Sequence, residues 1–275
     1  MGERKIQLTV FTKPWDEPLQ DMARKVKALG FDGVELPVRP GYQVEPETVG
    51  RGLPEAARIL KEEGLRIGSV AGTADEATIA ACGEAGAPMI RVCETIDMEI
   101  GYMASVKRIR ERYDALLPAL EQHGVAIGMQ NHCDYCVGSA IGTMHLIEQY
   151  DPAQVCAVLD PAHCAVDGEP EDMAVDICWS HLRLVNFKAA FHRRLNGPEE
   201  VEARYAIHWT TCHHAGFSWS KTVNLLLERG YEGDFCLPAE YSNLEGGGQL
   251  MGDDVLRPLN EDLAYMEELL DEAEA

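Results

Sequence analysis

The sequence predicts a single (β/α)₈ TIM barrel that spans residues 1–275, and three observations support this fold class. Short apolar runs typical of strands alternate with amphipathic segments typical of helices along the whole chain. The alternation repeats eight times, and 275 residues match the roughly 250 that such a barrel uses. Because no linker-like stretch divides the chain, we expect one domain.

The eight predicted strands are apolar runs of five to seven residues. They cover residues 6–11, 32–36, 65–71, 88–93, 125–130, 155–160, 182–186 and 234–240. The predicted helices cover residues 18–29, 54–63, 75–85, 102–123, 139–150, 170–180, 218–229 and 254–273. Several of these helices are followed by a glycine that can adopt the left-handed conformation, at Gly30, Gly64, Gly124 and Gly230. The regular order predicts parallel strands joined by helices.

A doubly wound open sheet is the main alternative to a barrel. Such a sheet uses fewer strands and usually has a phosphate-binding loop after its first strand, but the sequence contains no GxGxxG or GxxxxGK[ST] motif. The glycines at 246–248 lack the lysine and the helix start of such a loop, so we interpret them as a turn. The longest irregular stretch, 189–217, follows the seventh strand, and we expect it to cover a functional site.

Composition narrows the classes of function. The net charge of -22, from 24 basic and 46 acidic residues, disfavours nucleic acid and anionic membranes as partners. No apolar run reaches the roughly 18 residues of a membrane span, and the N-terminus does not resemble a secretory signal, so we expect a cytoplasmic protein. The odd number of cysteines, nine, predicts reduced thiols. A homo-oligomer is compatible with these features.

Four predicted strands in the C-terminal half end at a polar residue: Gln130, Asp160, Asn186 and Glu240. The C-terminal ends of parallel strands meet at one face of a barrel, where barrels place their chemistry, so we expect the four side chains to converge. For the two carboxylates we favour a functional role, because burying a carboxylate without a partner is costly. For the two amides, capping of the barrel is an equal alternative.

Five short motifs occur in barrel order along nearly the whole chain. They are GFDGVELP at 30–37, QNH at 130–132, LDPAH at 159–163, VNFK at 185–188 and YEGDFCLPAEY at 231–241. Together they resemble the xylose-isomerase-like TIM-barrel superfamily, which includes sugar and sugar-phosphate isomerases and epimerases, inosose dehydratase and the endonuclease IV group. The resemblance implies a TIM barrel that acts on a small carbohydrate.

The resemblance also implies a divalent metal held by Glu, Asp, His and Glu from the last four strands. Asp160 and Glu240 match this pattern, whereas Gln130 replaces the first glutamate and Asn186 replaces the histidine. The predicted metal ligands are therefore Gln130, Asp160, Asn186 and Glu240. This set offers only oxygen atoms, which suits Mn²⁺ or Mg²⁺ better than Zn²⁺, and its two carboxylates predict modest affinity.

The resemblance implies proton abstraction beside a carbonyl, with the metal stabilising an enediolate. Gln130 cannot carry the proton, so the predicted catalytic residues are Glu240 as the base, with His163 and Lys188 as groups that replace the missing acid or base. An ion pair with Asp160 or Glu240 is the alternative for Lys188, and for His132 a hydrogen-bonded core imidazole is an alternative to a role at the site.

Five residues near the strand ends or in the late loop are predicted to bind the substrate. Aromatic faces stack on sugar carbons, and an arginine can bind an acidic group. Ordinary loop packing is the alternative for each aromatic residue and for the arginine. The predicted substrate-binding residues are His132, Trp15, Arg39, Trp209 and Tyr241.

The predicted function is a sugar, sugar-phosphate or cyclitol isomerase or epimerase. A keto-sugar or inosose dehydratase that acts by β-elimination is an alternative within the same resemblance. A barrel that binds a sugar or a protein without turnover is the alternative from another class, because two metal ligands are replaced. The strongly acidic chain and its few histidines disfavour the endonuclease chemistry, and no GxSxG motif indicates a serine hydrolase. Without a phosphate-loop motif, we favour an unphosphorylated substrate.

Overall fold

Eight parallel strands close into a barrel, which confirms the predicted fold class. The computed structural model describes residues 6–214, 216–245 and 247–274, apart from the side chains of His214 and Glu274. The barrel strands are β1 (Leu8–Phe11), β2 (Gly33–Pro37), β3 (Arg66–Ala71), β4 (Met89–Val92), β5 (Ala126–Gln130), β6 (Val155–Leu159), β7 (Leu182–Asn186) and β10 (Asp234–Leu237). Pairing of Leu8 with Phe235 joins the first strand to the last and closes the barrel.

Helices follow the barrel strands, as the sequence predicts. They are α1 (Leu19–Leu29), α2 (Val49–Glu62), α3 (Glu76–Ala85), α4 (Tyr102–His123), α5 (Ala140–Ile147), α6 (Pro161–Val166), α7 (Glu171–Cys178), α8 (Trp219–Glu228) and α9 (Leu256–Glu274). Gly30, Gly64, Gly124 and Gly230 all have positive φ, between 64° and 101°, which confirms the predicted helix ends. No described helix has both the length and the apolar character that crossing a membrane would require.

Two helices differ from the prediction. Helix α2 begins at Val49 rather than at residue 54, because Val49 and Leu53 bury their side chains although two glycines weaken the local helix propensity. Helix α6 was not predicted. It begins directly after β6, where Asp160 caps it by accepting hydrogen bonds from the backbone N–H groups of Ala162 and His163.

The stretch that was predicted as irregular, 189–217, contains an antiparallel hairpin in its described part. Strands β8 (Ala189–Arg194) and β9 (Tyr205–Thr210) pair from Ala189 with Thr210 to Arg194 with Tyr205. Most of their side chains are exposed or half-buried, so the sequence lacks the apolar alternation that identifies a strand. Ala215 and Gly246 lie outside the described residues; Gly247 and Gly248 have positive φ, in agreement with the predicted turn.

The barrel interior is filled in two ways. A cluster of eight buried side chains comes only from strands, and it includes Met89, Cys156 and Leu184. A buried ion pair lies beside this apolar cluster. Arg91 donates to both carboxylate oxygens of Glu35, and the hydroxyl of Ser69 donates to Glu35 Oε2 at 2.8 Å. Glu35 is fully buried, so the pair fixes β2, β3 and β4 relative to one another.

We expect Glu35→Gln to destabilise the protein by about 3–5 kcal/mol, because it leaves the Arg91 guanidinium buried without a counter-charge. Urea denaturation measures this change. Glu62→Gln is the matched control, because it removes the same charge from an exposed pair with Arg58 and should cost less than about 1 kcal/mol. Equal effects of the two substitutions would contradict the structural importance of the buried pair.

Candidate active site

The polar residues at the ends of the last four barrel strands lie at one face of the barrel, as the sequence predicts. Gln130 and Asn186 are the last residues of β5 and β7, Asp160 follows β6 directly, and Glu240 lies three residues after β10. A cavity of about 200 Å³ opens at this face. It is lined by Phe11, Lys13, Arg39, Arg91, Cys93, Gln130, His132, Asn186, Lys188, Pro238 and Glu240.

A larger cavity of about 660 Å³ lies at the opposite end of the barrel. Its lining includes Arg66 and Asp234, which are the first residues of β3 and β10. Parallel barrels place their chemistry at the C-terminal ends of the strands, so the smaller cavity is the candidate site.

The ammonium group of Lys188 lies between two carboxylates. Its Nζ donates to Glu240 Oε2 at 2.8 Å and lies 3.3 Å from Asp160 Oδ2. The indole ring of Trp209 covers the same group, with 4.5 Å from Nζ to the ring centroid. Since Lys188 is only 4% exposed, the two carboxylates compensate for the loss of water around its charge.

A second lysine binds the other oxygen of Glu240. Lys13 Nζ donates to Glu240 Oε1 at 2.8 Å and to Gln249 Oε1 at 3.0 Å. The residue before the glutamate, Ala239, has a φ of 55°, in the left-handed region that residues with a Cβ rarely adopt. This backbone conformation turns the chain after β10 and helps to place the Glu240 carboxylate between the two ammonium groups.

Asp160 is held by its neighbours on every side. Its Oδ1 caps α6, and its Oδ2 accepts a hydrogen bond of 2.8 Å from Gln130 Nε2. The carbonyl oxygen of Gln130 accepts from Cys93 Sγ at 3.3 Å. The amide must keep this orientation, because the reverse orientation would place its carbonyl oxygen against the carboxylate of Asp160.

The charges of the site shift the pKa values of its groups. Burial alone would raise the pKa of Glu240, but Lys188 and Lys13 outweigh it and hold the pKa well below its usual range. Burial alone would lower the pKa of Lys188, but Asp160 and Glu240 outweigh it and raise the pKa. For Asp160, burial raises the pKa although Lys188 opposes the shift. We conclude that Lys188 and Glu240 form a charged pair at neutral pH.

Two histidine rings, of His132 and His163, pack against each other near the lysine, with centroids 4.1 Å apart and an angle of 36° between the ring planes. The ring of His163 is fully buried, and burial and the positive charge of Lys188 lower its pKa well below the usual value. Its Nδ1 accepts a hydrogen bond from the backbone N–H of Cys133, so the neutral ring carries its proton on Nε2, 3.6 Å from Asp160 Oδ2. His163 is therefore a neutral residue behind the cavity.

His132 lines the cavity itself. Its Nδ1 donates to the backbone carbonyl of Cys133 at 3.0 Å, because a carbonyl oxygen can only accept. In the neutral ring this leaves Nε2 as a proton acceptor. Of the two predicted histidines, His132 is the one in a position to exchange a proton with a ligand.

The structure separates the predicted substrate-binding residues into two groups. His132 and Arg39 line the cavity, and Trp209 covers Lys188 and packs edge-on against His163. Trp15 is fully buried in the hydrophobic core, and the Tyr241 hydroxyl donates to Asp262 on α9. The last two side chains do not line the described cavity, so their placement supports a packing role.

Several residues of the site were not predicted. Lys13 follows β1 by two residues, Arg91 and Glu35 lie within β4 and β2, and Cys93 follows β4. A charged residue inside an apolar strand, as at 35 and 91, is a signal that sequence analysis can use, because such a charge needs a buried partner. For Lys13 no comparable signal exists, because its side chain reaches Glu240 only through the conformation of the loop.

The four predicted metal ligands do not fit a divalent cation in this arrangement. Both oxygens of Glu240 accept hydrogen bonds from the ammonium groups of Lys13 and Lys188. Oδ2 of Asp160 accepts from the Gln130 amide N–H, and the carbonyl oxygen of Gln130 is turned away from Asp160 toward Cys93. Of the four predicted ligands, only Asn186 has a side-chain oxygen that is buried without a hydrogen-bond partner among the described residues. A divalent ion would have to displace Lys188 against like-charge repulsion.

A second group of possible ligands lies nearby. His132, Cys133 and His163 each place one ligand atom within 4.8 Å of the others. Burial and the nearby Asp134 raise the pKa of Cys133 to about 12, so without a metal its thiol is protonated at neutral pH. The identity of any metal therefore stays a prediction.

Comparison with known proteins defines the family. No curated protein matches the chain. Similar solved structures include 3-keto-D-glucoside 4-epimerase from E. coli, with 14% identity over 96% of this chain and 99% of that chain and a TM-score of 0.68. D-psicose 3-epimerase from Clostridium cellulolyticum H10 has 17% identity over 98% and 95% of the chains, with a TM-score of 0.64. L-ribulose 3-epimerase has 14% identity over 98% and 96%, with a TM-score of 0.69.

At these identities the structural similarity establishes the fold alone. The family model described as a xylose isomerase-like TIM barrel matches residues 23–269, which is most of the sequence. The chain belongs to the xylose isomerase-like TIM barrel family.

Proposed function

We propose that the protein is an enzyme that moves a proton beside the carbonyl group of a small polyhydroxylated compound, in an isomerase-like or epimerase-like reaction. The observation that carries the proposal is the charged pair of Lys188 and Glu240, joined at 2.8 Å and facing one cavity. A proton acceptor beside a fixed positive charge is what enediolate formation needs. The sugar epimerases with the same fold support this class by analogy.

Glu240 is the proposed base. The lowered pKa of Glu240 would by itself make the carboxylate a weak base. During the proposed reaction, however, the negative charge stays within the site. When the proton moves from the substrate carbon to Glu240, the charge moves to the substrate oxygen. Because Lys188 lies beside both groups, its attraction passes from the carboxylate to the new oxyanion, and protonation of Glu240 costs less than its pKa alone suggests.

Lys188 is the proposed electrophile. An ammonium group has three N–H donors, and in Lys188 two of them face Glu240 and Asp160. The third is free to bind the carbonyl oxygen of the substrate, and Trp209 shields the charge from solvent on one side. In a buried site this charge stabilises an oxyanion more strongly than it would in water. The ammonium thus supplies the positive charge that was predicted to come from a metal.

His132 is the proposed second proton carrier. It lines the same cavity, and its Nε2 can accept a proton because its Nδ1 donates to the carbonyl of Cys133. Two carriers allow the proton to leave from one side of the substrate and return on another. His163, by contrast, is a positioning residue: it packs between His132 and Trp209 and stays neutral.

The charge of Glu240 predicts a pH dependence of stability. Its pKa is lower in the folded chain than its ordinary value of 4.5, so its ionised form stabilises the fold above that pH, and the stabilisation is lost as the pH falls below it. We expect the free energy of unfolding of the wild type, relative to that of Glu240→Gln, to fall by roughly 1 kcal/mol between about pH 6 and about pH 4.

Urea denaturation of both proteins at the two pH values measures this difference. Glu62→Gln, on the exposed face of α2, gives the baseline for removing one negative charge from an acidic protein. If Glu240→Gln and Glu62→Gln respond identically to pH, Glu240 is not held by the lysines as described.

The reaction is tested by deuterium exchange from solvent into a panel of aldoses, ketoses and sugar acids, followed by NMR. We expect the wild type to exchange at least one of these compounds, and Glu240→Gln to lose about 100-fold or more in rate, because the base is gone. Lys107→Gln, at an exposed position of α4, should keep the wild-type rate. A wild type that binds a sugar without exchange in any panel member would refute the enzyme and support the non-catalytic barrel.

The role of Lys188 is tested by chelation. After treatment with EDTA and dialysis, we expect the exchange rate to stay within about twofold of the untreated rate, whereas Lys188→Met should lose about 100-fold or more. Activation of the dialysed wild type by Mn²⁺ or Mg²⁺ by more than about tenfold would show that a metal, and not the ammonium group, provides the positive charge.

A further inference from the structure

We propose that the substrate carries a carboxylate group and that Arg39 binds this group at the edge of the cavity. This inference rests on the proposed function and narrows its substrate class to sugar acids. It follows from the distribution of charge around the cavity and from the position of one guanidinium group.

Four cationic side chains line the cavity: Lys13, Arg39, Arg91 and Lys188. Three carboxylates are bonded to members of this set, since Glu35 pairs with Arg91, Glu240 pairs with both lysines, and Asp160 pairs with Lys188. The pairs leave one positive charge over, in a molecule whose net charge is -22. An excess of positive charge within a strongly acidic protein favours an anion at this one place.

Arg39 is the cation that supplies the excess. Among the described residues, no carboxylate pairs with it and its guanidinium makes no hydrogen bond. The guanidinium carbon lies 5.5 Å from the centroid of the Phe11 ring, and Phe11 lines the same cavity. Stacking on this buried ring restrains the guanidinium and leaves its N–H groups available at the rim.

The backbone around Arg39 is also restrained. Its N–H donates to the carbonyl of Val44 at 3.1 Å, and its carbonyl accepts from the N–H of Tyr42 at 3.2 Å. A half-buried arginine on a fixed turn loses less conformational entropy on binding than a free surface arginine. The planar fork of its donors matches a carboxylate in a bidentate geometry.

A carboxylate fits this site better than a phosphate. A single excess charge balances a monoanion, whereas a phosphate monoester carries nearly two negative charges. Phosphate sites commonly use glycine-rich loops or helix N-termini, and the described lining residues include no glycine and no helical residue. The volume of about 200 Å³ limits the ligand to a small compound.

The test compares sugars that differ only at carbon 6. We would measure the binding of D-glucose, D-galactose and D-mannose, of their uronates and of their 6-phosphates by isothermal titration calorimetry. The wild type should bind at least one uronate about 30-fold more tightly than the matching neutral sugar, as one charge-assisted bidentate contact implies. Arg39→Gln should remove this preference and leave the affinity for the neutral sugar within about twofold.

Arg51→Gln is the matched control, because Arg51 is exposed on α2 and should keep the preference for the uronate. Equal affinity for neutral and acidic sugars, or no binding of any uronate, would overturn the inference. Tighter binding of a 6-phosphate that depends on Arg39 would overturn the choice of carboxylate.

The outcomes also separate this inference from the proposed reaction. Uronate binding that depends on Arg39, without deuterium exchange, would refute the reaction and keep the acid-binding site. Exchange into a neutral sugar by a wild type that binds no uronate more tightly than the matching neutral sugar would keep the reaction and refute the acid-binding site.

Discussion

The candidate site depends on one interaction, the contact of the Lys188 ammonium group with Asp160 and Glu240. A charge that is 4% exposed persists in a barrel only if opposite charges surround it, and these two carboxylates come from different strand ends. The orientation of other groups follows from this contact. The side-chain amide of Gln130 donates a hydrogen bond to Asp160, and the positive charge of Lys188 contributes to keeping His163 neutral.

The same contact changes how the residues at 130 and 186 are interpreted. An amide at residue 130 donates a hydrogen bond to Asp160, whereas a glutamate there would place a second carboxylate against Asp160, beside a lysine that already pairs with two. The substitution relative to the family pattern therefore suits a site organised around an ammonium group. Asn186 differs, since its carbonyl oxygen is buried without a described partner and no contact explains its orientation.

Much of the site's location could be predicted from the sequence, because parallel strands bring their C-terminal ends together whatever the loops do. Asp160 and Glu240 lie near each other for that reason. The orientation of loop residues could not be predicted in the same way. Trp15 and Trp209 both flank strand ends, yet Trp15 enters the core between the barrel and its helices, whereas Trp209 covers Lys188.

The β8–β9 hairpin and the unpaired state of Arg39 could not be predicted from the sequence, for a different reason. The hairpin of β8 and β9 is mostly exposed, so its residues are under little constraint to alternate between apolar and polar types, and the strands are not recognisable. Arg39 was correctly expected near the strand ends, but its lack of a carboxylate partner is a property of three-dimensional packing. The sequence of a highly acidic protein would sooner suggest that every arginine is paired.

Two hydrogen bonds of the hairpin link the cover of the cavity to the segment that carries Glu240. The N–H of Trp209 donates to the Ser242 hydroxyl at 2.9 Å, and the N–H of Ser242 donates to the carbonyl of Trp209 at 3.0 Å. These bonds fix the backbone of β9 at Trp209 to the chain two residues after Glu240, so the indole that covers Lys188 and the carboxylate that pairs with it are held by one hydrogen-bonded unit. The cover of the cavity and the position of the proposed base thus depend on the same two hydrogen bonds.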